Sequence, residues 1–428
     1  MKGGLVVAGL VAAVLCADLG TAADTLVQLQ FVTRHGARTA LPKDAAKFSE
    51  GGASLTRQGS VQQQSFGAEI RSFYGITKGF SAAKQYTPDD VWLTSSDFDR
   101  TISSAMSFAS GLWPGNTPDN FAPNISAQVP VHTVLPLNDV TVRAYRNCPE
   151  FRVQLSKLYA SQPFLDKAAA NKAFTTQLAT LFPDYAVDGN IPLPSIWNVF
   201  DAVNVAKDLN PSSALANILT PAQFTTLSEL TAWVEHQRYG KAVAKGLLGS
   251  NLWNEIMGRV RSLYDFDGKG ALHPPHKMVV YSAHYPTILG LFAALDLQGE
   301  NPSVLSATAV PNYASSIVFE VWQHGTSTSL SEDTAYIRVR YKGGAHVAIG
   351  SSPYLQLSKS CVDAAAADAN VPSDACPMKT FRALLEKSMY PNLETWCWAC
   401  GNTVSSSCLA AQKKCSESKP GILSTLSG

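Results

Sequence analysis

The sequence predicts an α/β fold: a central, mostly parallel or mixed sheet flanked by helices, with a smaller helical domain inserted into it. Three observations carry this. Short β-like runs beginning at Leu26, Val91 and Lys277 are each followed by a helical stretch, the alternation of a layered sheet-and-helix core. Between the second and third such pair, from about Asn147 to Lys269, the pattern is dominated by helical stretches. Beyond Pro311 strand-like runs return, so the helical block interrupts one core rather than following it. With 428 residues, 46% hydrophobic and 16% charged, the chain can bury a sizeable core and is not a disordered composition.

The elements read as follows. Lys2, the apolar run Leu5 to Leu19 and the small residues Thr21, Ala22 and Ala23 have the layout of a cleaved leader over 1–23, with a mature start near Asp24. Leu26 to Val32 is a strand that ends at Arg34-His35-Gly36-Ala37-Arg38. Ser54 to Tyr74 has helical spacing, with Val61, Phe66, Ile70 and Phe73 expected inward. Val91 to Thr94 is a second strand, Ser95, Ser96 and Asp97 are N-cap candidates, and Thr101 to Leu112 is the helix they would start. Helices are expected over Phe164 to Thr180, Pro221 to His236 and Leu248 to Tyr264. Lys277 to Tyr281 is a third strand, leading through Ser282-Ala283-His284-Tyr285 into a helix opened by Pro286. Ser316 to Trp322 and Thr334 to Tyr341 are strands again. The predicted division is a discontinuous core of 24–146 and 270–390, a helical cap of 147–269 and a cysteine-rich tail of 391–428.

Charge and cysteine usage narrow the function classes. The formal charge is +1, close to neutral, which argues against nucleic acid or a membrane surface as a partner held by bulk electrostatics. No window of eighteen uninterrupted apolar residues follows the leader, so no membrane span is expected. The end of the chain, Gly421 to Gly428, lacks the hydrophobic tail of a lipid-anchor signal. Outside the leader the cysteines are Cys148, Cys361, Cys376, Cys397, Cys400, Cys408 and Cys415. The Cys397-x-x-Cys400 spacing admits a zinc site, but with an export leader a disulfide-stapled tail is the better reading, and the odd count leaves one cysteine free or paired to another chain. Asn124-Ile125-Ser126 is a glycosylation sequon in keeping with secretion or an endo-lysosomal lumen. His273 and His276 lie in a proline-rich loop without nearby carboxylates and read as surface residues rather than a metal pair.

Charged residues gather at the ends of three predicted strands: Arg34, His35 and Arg38 after the first, Arg100 after the second, His284 after the third. Ligands of open α/β sheets bind at such strand ends, where helix N-termini offer free N–H groups to an anion. Clustered guanidinium forks suit a phosphate or carboxylate, and Gly36 permits a close turn beside the histidine. A histidine among arginines is held neutral, the nucleophilic form. His35 therefore reads as a nucleophile for phosphoryl transfer, a reaction that needs mainly positioning and charge neutralisation.

These residues carry a resemblance. Arg34-His35-Gly36-Ala37-Arg38-Thr39 resembles the signature of the histidine acid phosphatases, a branch of the histidine phosphatase superfamily. Leu55-Thr56-Arg57-Gln58-Gly59 with Gln62, Thr94 through Thr101, Asn147-Cys148-Pro149 and Pro311 through Ser315 resemble further family landmarks in the same order. The resemblance implies hydrolysis of small-molecule phosphomonoesters through phospho-His35. Arg34, Arg38 and Arg100 would bind phosphoryl oxygens, His284 would complete the pocket, and the helical insertion would cover the leaving-group side. No metal or organic cofactor is implied, and family members are often homodimers. The family signature usually continues with Pro, and in phytase-like members with Thr after it; here those positions are Ala40 and Leu41, which resembles the general acid phosphatases more than phytases.

One position departs from the family pattern. The second histidine is usually followed by an Asp that protonates the departing alcohol, whereas here Tyr285 follows His284. Three readings follow: Tyr285 donates the proton; Asp97, Asp99 or Glu320 serves instead; or the chain is catalytically impaired and holds a phosphorylated ligand. For Asp97, helix capping is the stronger reading. A mutase-type transferase is disfavoured by the leader and the cysteine-rich tail.

Overall fold

The computed structural model describes residues 23–41, 53–115, 129–265, 275–295, 310–325, 327, 329–386 and 389–418. The expected leader up to residue 22, Asn124 and His273 lie outside the described residues. Among the described residues, seven strands form one sheet in the order β3-β2-β4-β1-β5-β6-β7: β1 Thr25–Arg34, β2 Val91–Ser96, β3 Val131–Val134, β4 Met278–Ala283, β5 Ser316–Gln323, β6 Ala335–Lys342 and β7 Cys376–Pro377. The β3-β2-β4-β1 half is parallel and the rest antiparallel. The expected mixed sheet is present, and β1 sits where the two halves meet.

Both faces are covered. Leu29, Phe31, Met278, Val280 and Val318 pack under the Arg57–Ile70 and Asp99–Leu112 helices, against Phe66, Ile70, Phe108 and Leu112. On the other face Val279, Tyr281 and Phe319 meet Trp253, Ile256, Leu289 and Phe292 of the Lys241–Asp265 and Tyr285–Ala294 helices. Gln30, fully buried on β1, donates its amide N–H groups to the Ile256 carbonyl at 2.9 Å and to Gln28 Oε1 at 2.8 Å, tying the strand to that layer.

The helical block of 147–269 divides in two. Phe164, Leu178, Ile196, Val199, Leu227 and Leu230 form a cluster of their own within the segment 162–238, whereas the last helix, Lys241–Asp265, belongs to the sheet layer. Helical periodicity marks a buried face without naming what covers it, which is why the two were read as one unit. The tail is fastened to the rest of the chain. Disulfides join Cys148 to Cys400, Cys361 to Cys376 and Cys397 to Cys408. Cys397, Cys400 and Cys408 are thus consumed by sulfur pairing, as the disulfide reading expected. Among the described residues, no helix is long and apolar enough to cross a membrane.

Two local expectations are corrected. Val61 is exposed, and the inward face of its helix is Gly59, Gln63, Phe66 and Ile70. The helix then passes into a π-helical turn, Arg71–Thr77, which shifts the register and buries Tyr74 in place of the half-buried Phe73. The second strand runs on through Ser96, so the cap residue of the next helix is Phe98, without a side-chain cap bond, and Asp97 does not cap it.

Candidate active site

The parallel register explains why distant charges converge. Arg34 is paired with Ala283 at the ends of β1 and β4, and Ser95 of β2 is paired with Ser282 of β4. The residues that follow each strand therefore emerge side by side. A cavity of about 550 Å³ at this edge is lined by Arg34, His35, Arg38, Arg100, His284 and Tyr285, all from the sequence reading, together with residues of the helical block.

The loop after β1 is held by backbone and amide contacts. The Ala37 N–H donates to Gln62 Oε1 at 2.8 Å, and Gln63 Nε2 donates to the Arg34 carbonyl at 2.8 Å. Gly36 is required by contact: a Cβ there would lie 2.2 Å from the Gly59 carbonyl oxygen. The signature loop thus rests directly on the backbone of the helix N-terminus that follows it.

His35 is buried, and its Nδ1 lies 2.8 Å from its neighbour's carbonyl oxygen at Gly36. A carbonyl only accepts, so Nδ1 carries the proton and Nε2 keeps its lone pair. Burial holds His35 well below the usual histidine range, reinforced by Arg100, Arg34, His284 and Arg38. The ring of His284 stands edge-on to it at 5.5 Å between centroids. His284 Nε2 is 2.8 Å from Ser96 Oγ. Burial depresses its basicity too, followed by the charges of Arg100 and Arg143. Both imidazoles are therefore neutral.

The arginines are held by different means. Arg34 donates to the Pro311 carbonyl at 2.5 Å and lies 4.1 Å from the Tyr313 ring centroid. Arg38 forms a fork with Asp201, at 2.9 and 3.2 Å, in a buried pair. Arg100 and Arg143 both stack on Phe98, at 4.7 and 4.5 Å. Arg143, Asp201 and Tyr313 were missed as site residues; only Tyr313 lay in a quoted landmark.

Tyr285 lies in the cavity wall beside Trp197, with its ring 5.4 Å from the Arg34 guanidinium. Its hydroxyl donates to Glu235 Oε2 at 2.7 Å. Burial raises its pKa far above the usual phenol range, and Glu235 adds to the shift. The alternative acids are not in the cavity wall. Asp99 is exposed in the first helical turn. Glu320 is buried under the sheet, accepting from Tyr74, Trp322, Tyr354 and Arg340. It is a structural carboxylate, not a proton donor at this site.

The chain is similar to known proteins in sequence and in fold. Over 385 residues the chain is 27% identical to the lysosomal acid phosphatase of Xenopus laevis, covering 86% of this chain and 79% of that one. It is 30% identical over 312 residues to the lysosomal acid phosphatase of Rattus norvegicus, covering 69% and 67%. The phytase of Citrobacter braakii shares the fold, with a TM-score of 0.59 at 14% identity over 86% of this chain and 98% of that one. The family model of the histidine phosphatase superfamily, branch 2, matches residues 47–342. By sequence match and by fold, the chain belongs to branch 2 of the histidine phosphatase superfamily.

Proposed function

We propose that the protein is an acid phosphatase that hydrolyses phosphomonoesters through a phosphohistidine at His35. The observation that carries this is the Nδ1 to Gly36 carbonyl bond at 2.8 Å, which leaves Nε2 as the free lone pair in a cavity walled by arginines. In this reading Arg34, Arg38 and Arg100 take the three equatorial phosphoryl oxygens and neutralise charge that builds in the transition state. His284, held by Ser96, donates a further hydrogen bond to them through Nδ1. Nε2 of His35 attacks phosphorus, the bond to the alcohol breaks, and water then attacks the phosphohistidine to release phosphate.

The segment 149–238 acts as the cap over the leaving-group side, contributing Phe151, Tyr159 and Trp197 to the cavity wall. The three disulfides support an oxidising compartment, a secreted or endo-lysosomal one. A homodimer belongs to the same reading, and sedimentation velocity tests it.

The test is a rapid quench into alkali of enzyme mixed with ³²P-labelled p-nitrophenyl phosphate. Label should appear on His35 in the wild type and be absent from His35→Ala, with turnover lost in parallel. Binding of phosphate without label and without hydrolysis would instead favour a protein that holds a phosphorylated ligand.

A further inference from the structure

The position that departs from the family pattern faces a carboxyl group that the sequence does not announce. Glu235, on the Pro221–Arg238 helix, is buried to 1% exposure. Both its oxygens are engaged by residues of the cavity wall: Oε1 by Arg238 at 2.9 Å and Oε2 by the Tyr285 hydroxyl at 2.7 Å. The other buried carboxylate against the wall, Asp201, has both oxygens on Arg38. Resting on the phosphohistidine reading, we propose that Tyr285 delivers the proton to the leaving group and that Glu235 supplies it through Tyr285. In this scheme Tyr285 is the catalytic residue and Glu235 a positioning residue that acts through it.

The chemistry follows from who can donate. While Glu235 is ionised, it holds the Tyr285 hydrogen and the phenol has nothing to give the substrate. Once Glu235 is protonated, its Oε2–H donates to Tyr285 Oη, and the phenolic hydrogen is released to turn about its C–O bond toward the cavity. As the phosphorus–oxygen bond to the alcohol breaks, the alcohol oxygen takes the phenolic proton and Oη takes the proton of Glu235. In the second step water gives its proton to Oη, which returns one to Glu235, so each cycle closes without net change. The phenol never needs to become a phenolate, which its burial beside Glu235 makes costly. The titratable groups that face Glu235 are Arg238, Tyr285, Tyr239 and Tyr159.

The experiment compares kcat/KM for an alkyl phosphate with that for p-nitrophenyl phosphate, whose leaving group needs little protonation. Tyr285→Phe keeps the ring and its packing while removing the relay oxygen, and Glu235→Gln removes the acid. Each should lower the alkyl-to-aryl ratio by about 10²-fold, within the usual range for a lost general acid. The double variant should fall no further than either single, because one broken link stops the chain. Tyr285→Asp in the Glu235→Gln background should restore the ratio. An unchanged ratio in both single variants, with His35 still labelled by quench, would overturn the relay and leave the phosphohistidine reading standing. Equal losses on both substrates in both variants would make the pair a structural clamp and also overturn it. No label on His35 would overturn both readings.

Discussion

His35 and His284 are kept neutral by burial and by surrounding arginines, and this has a sign in stability. In the unfolded chain each imidazole takes up a proton as pH falls below about 6.5, while in the folded protein burial and the arginines push that uptake to lower pH. The unfolded state then binds more protons, so this contribution is whole above pH 6.5 and is lost progressively below it. Melting curves at pH 7 and pH 5 should show a fall that is smaller in His35→Ala. Asp139 works in the opposite sense. Burial raises it from 3.8 to about 6, against the N–H groups of Val142, Arg143 and Thr141. Here the folded state binds the extra proton, so stability declines as pH rises from about 4 through 6. Asp139→Asn should flatten that decline when its melting temperature is followed across the same interval.

The Arg57–Ile70 and Asp99–Leu112 helices meet backbone to backbone, and the first holds the signature loop while the second carries Arg100. A Cβ at Gly111 would lie 1.9 Å from the Gln64 carbonyl oxygen, and neither backbone can yield without moving its helix. Gly111→Ala should cost about 1–3 kcal/mol in urea unfolding and lower kcat/KM as Arg100 shifts. Gly258→Ala, in a helix with open space around it, should instead be neutral or stabilising by up to about 1 kcal/mol. This crossing was not legible in the sequence. Periodicity placed both helices but put Val61 inward, because the true inner face is set by how the partner helix crosses. The strand ends bearing His35, Arg100 and His284 were legible, since each is a local run that stops at a charge. Contacts from the helical block were not. Asp201 is 163 positions from Arg38 and Glu235 is 50 from Tyr285, and no local pattern links residues so far apart.

Across the whole molecule the tail works as a strap. Trp396 is fully buried and donates its indole N–H to the Leu247 carbonyl at 2.7 Å, and Asn402 donates to the Asn147 carbonyl at 2.6 Å. The Cys148–Cys400 bridge closes a separation of 252 residues, against 15 for Cys361–Cys376. Loop closure makes the first worth up to about 5 kcal/mol and the second about 3. Calorimetry should therefore find a larger drop in Tm for Cys400→Ser than for Cys376→Ser. The fork between Arg38 and Asp201 reaches across the molecule in another way, joining the loop beside His35 to the Ile196–Leu209 helix. Two events that share one guanidinium are thermodynamically linked, and linkage runs both ways by an equal factor. Phosphate at the arginines should slow amide exchange along Ile196–Leu209, and whatever weakens that helix's docking must loosen the hold on phosphate in the same proportion. The helical block is then a gauge of occupancy as well as a wall: its breathing reports, from a distance, whether the anion is home.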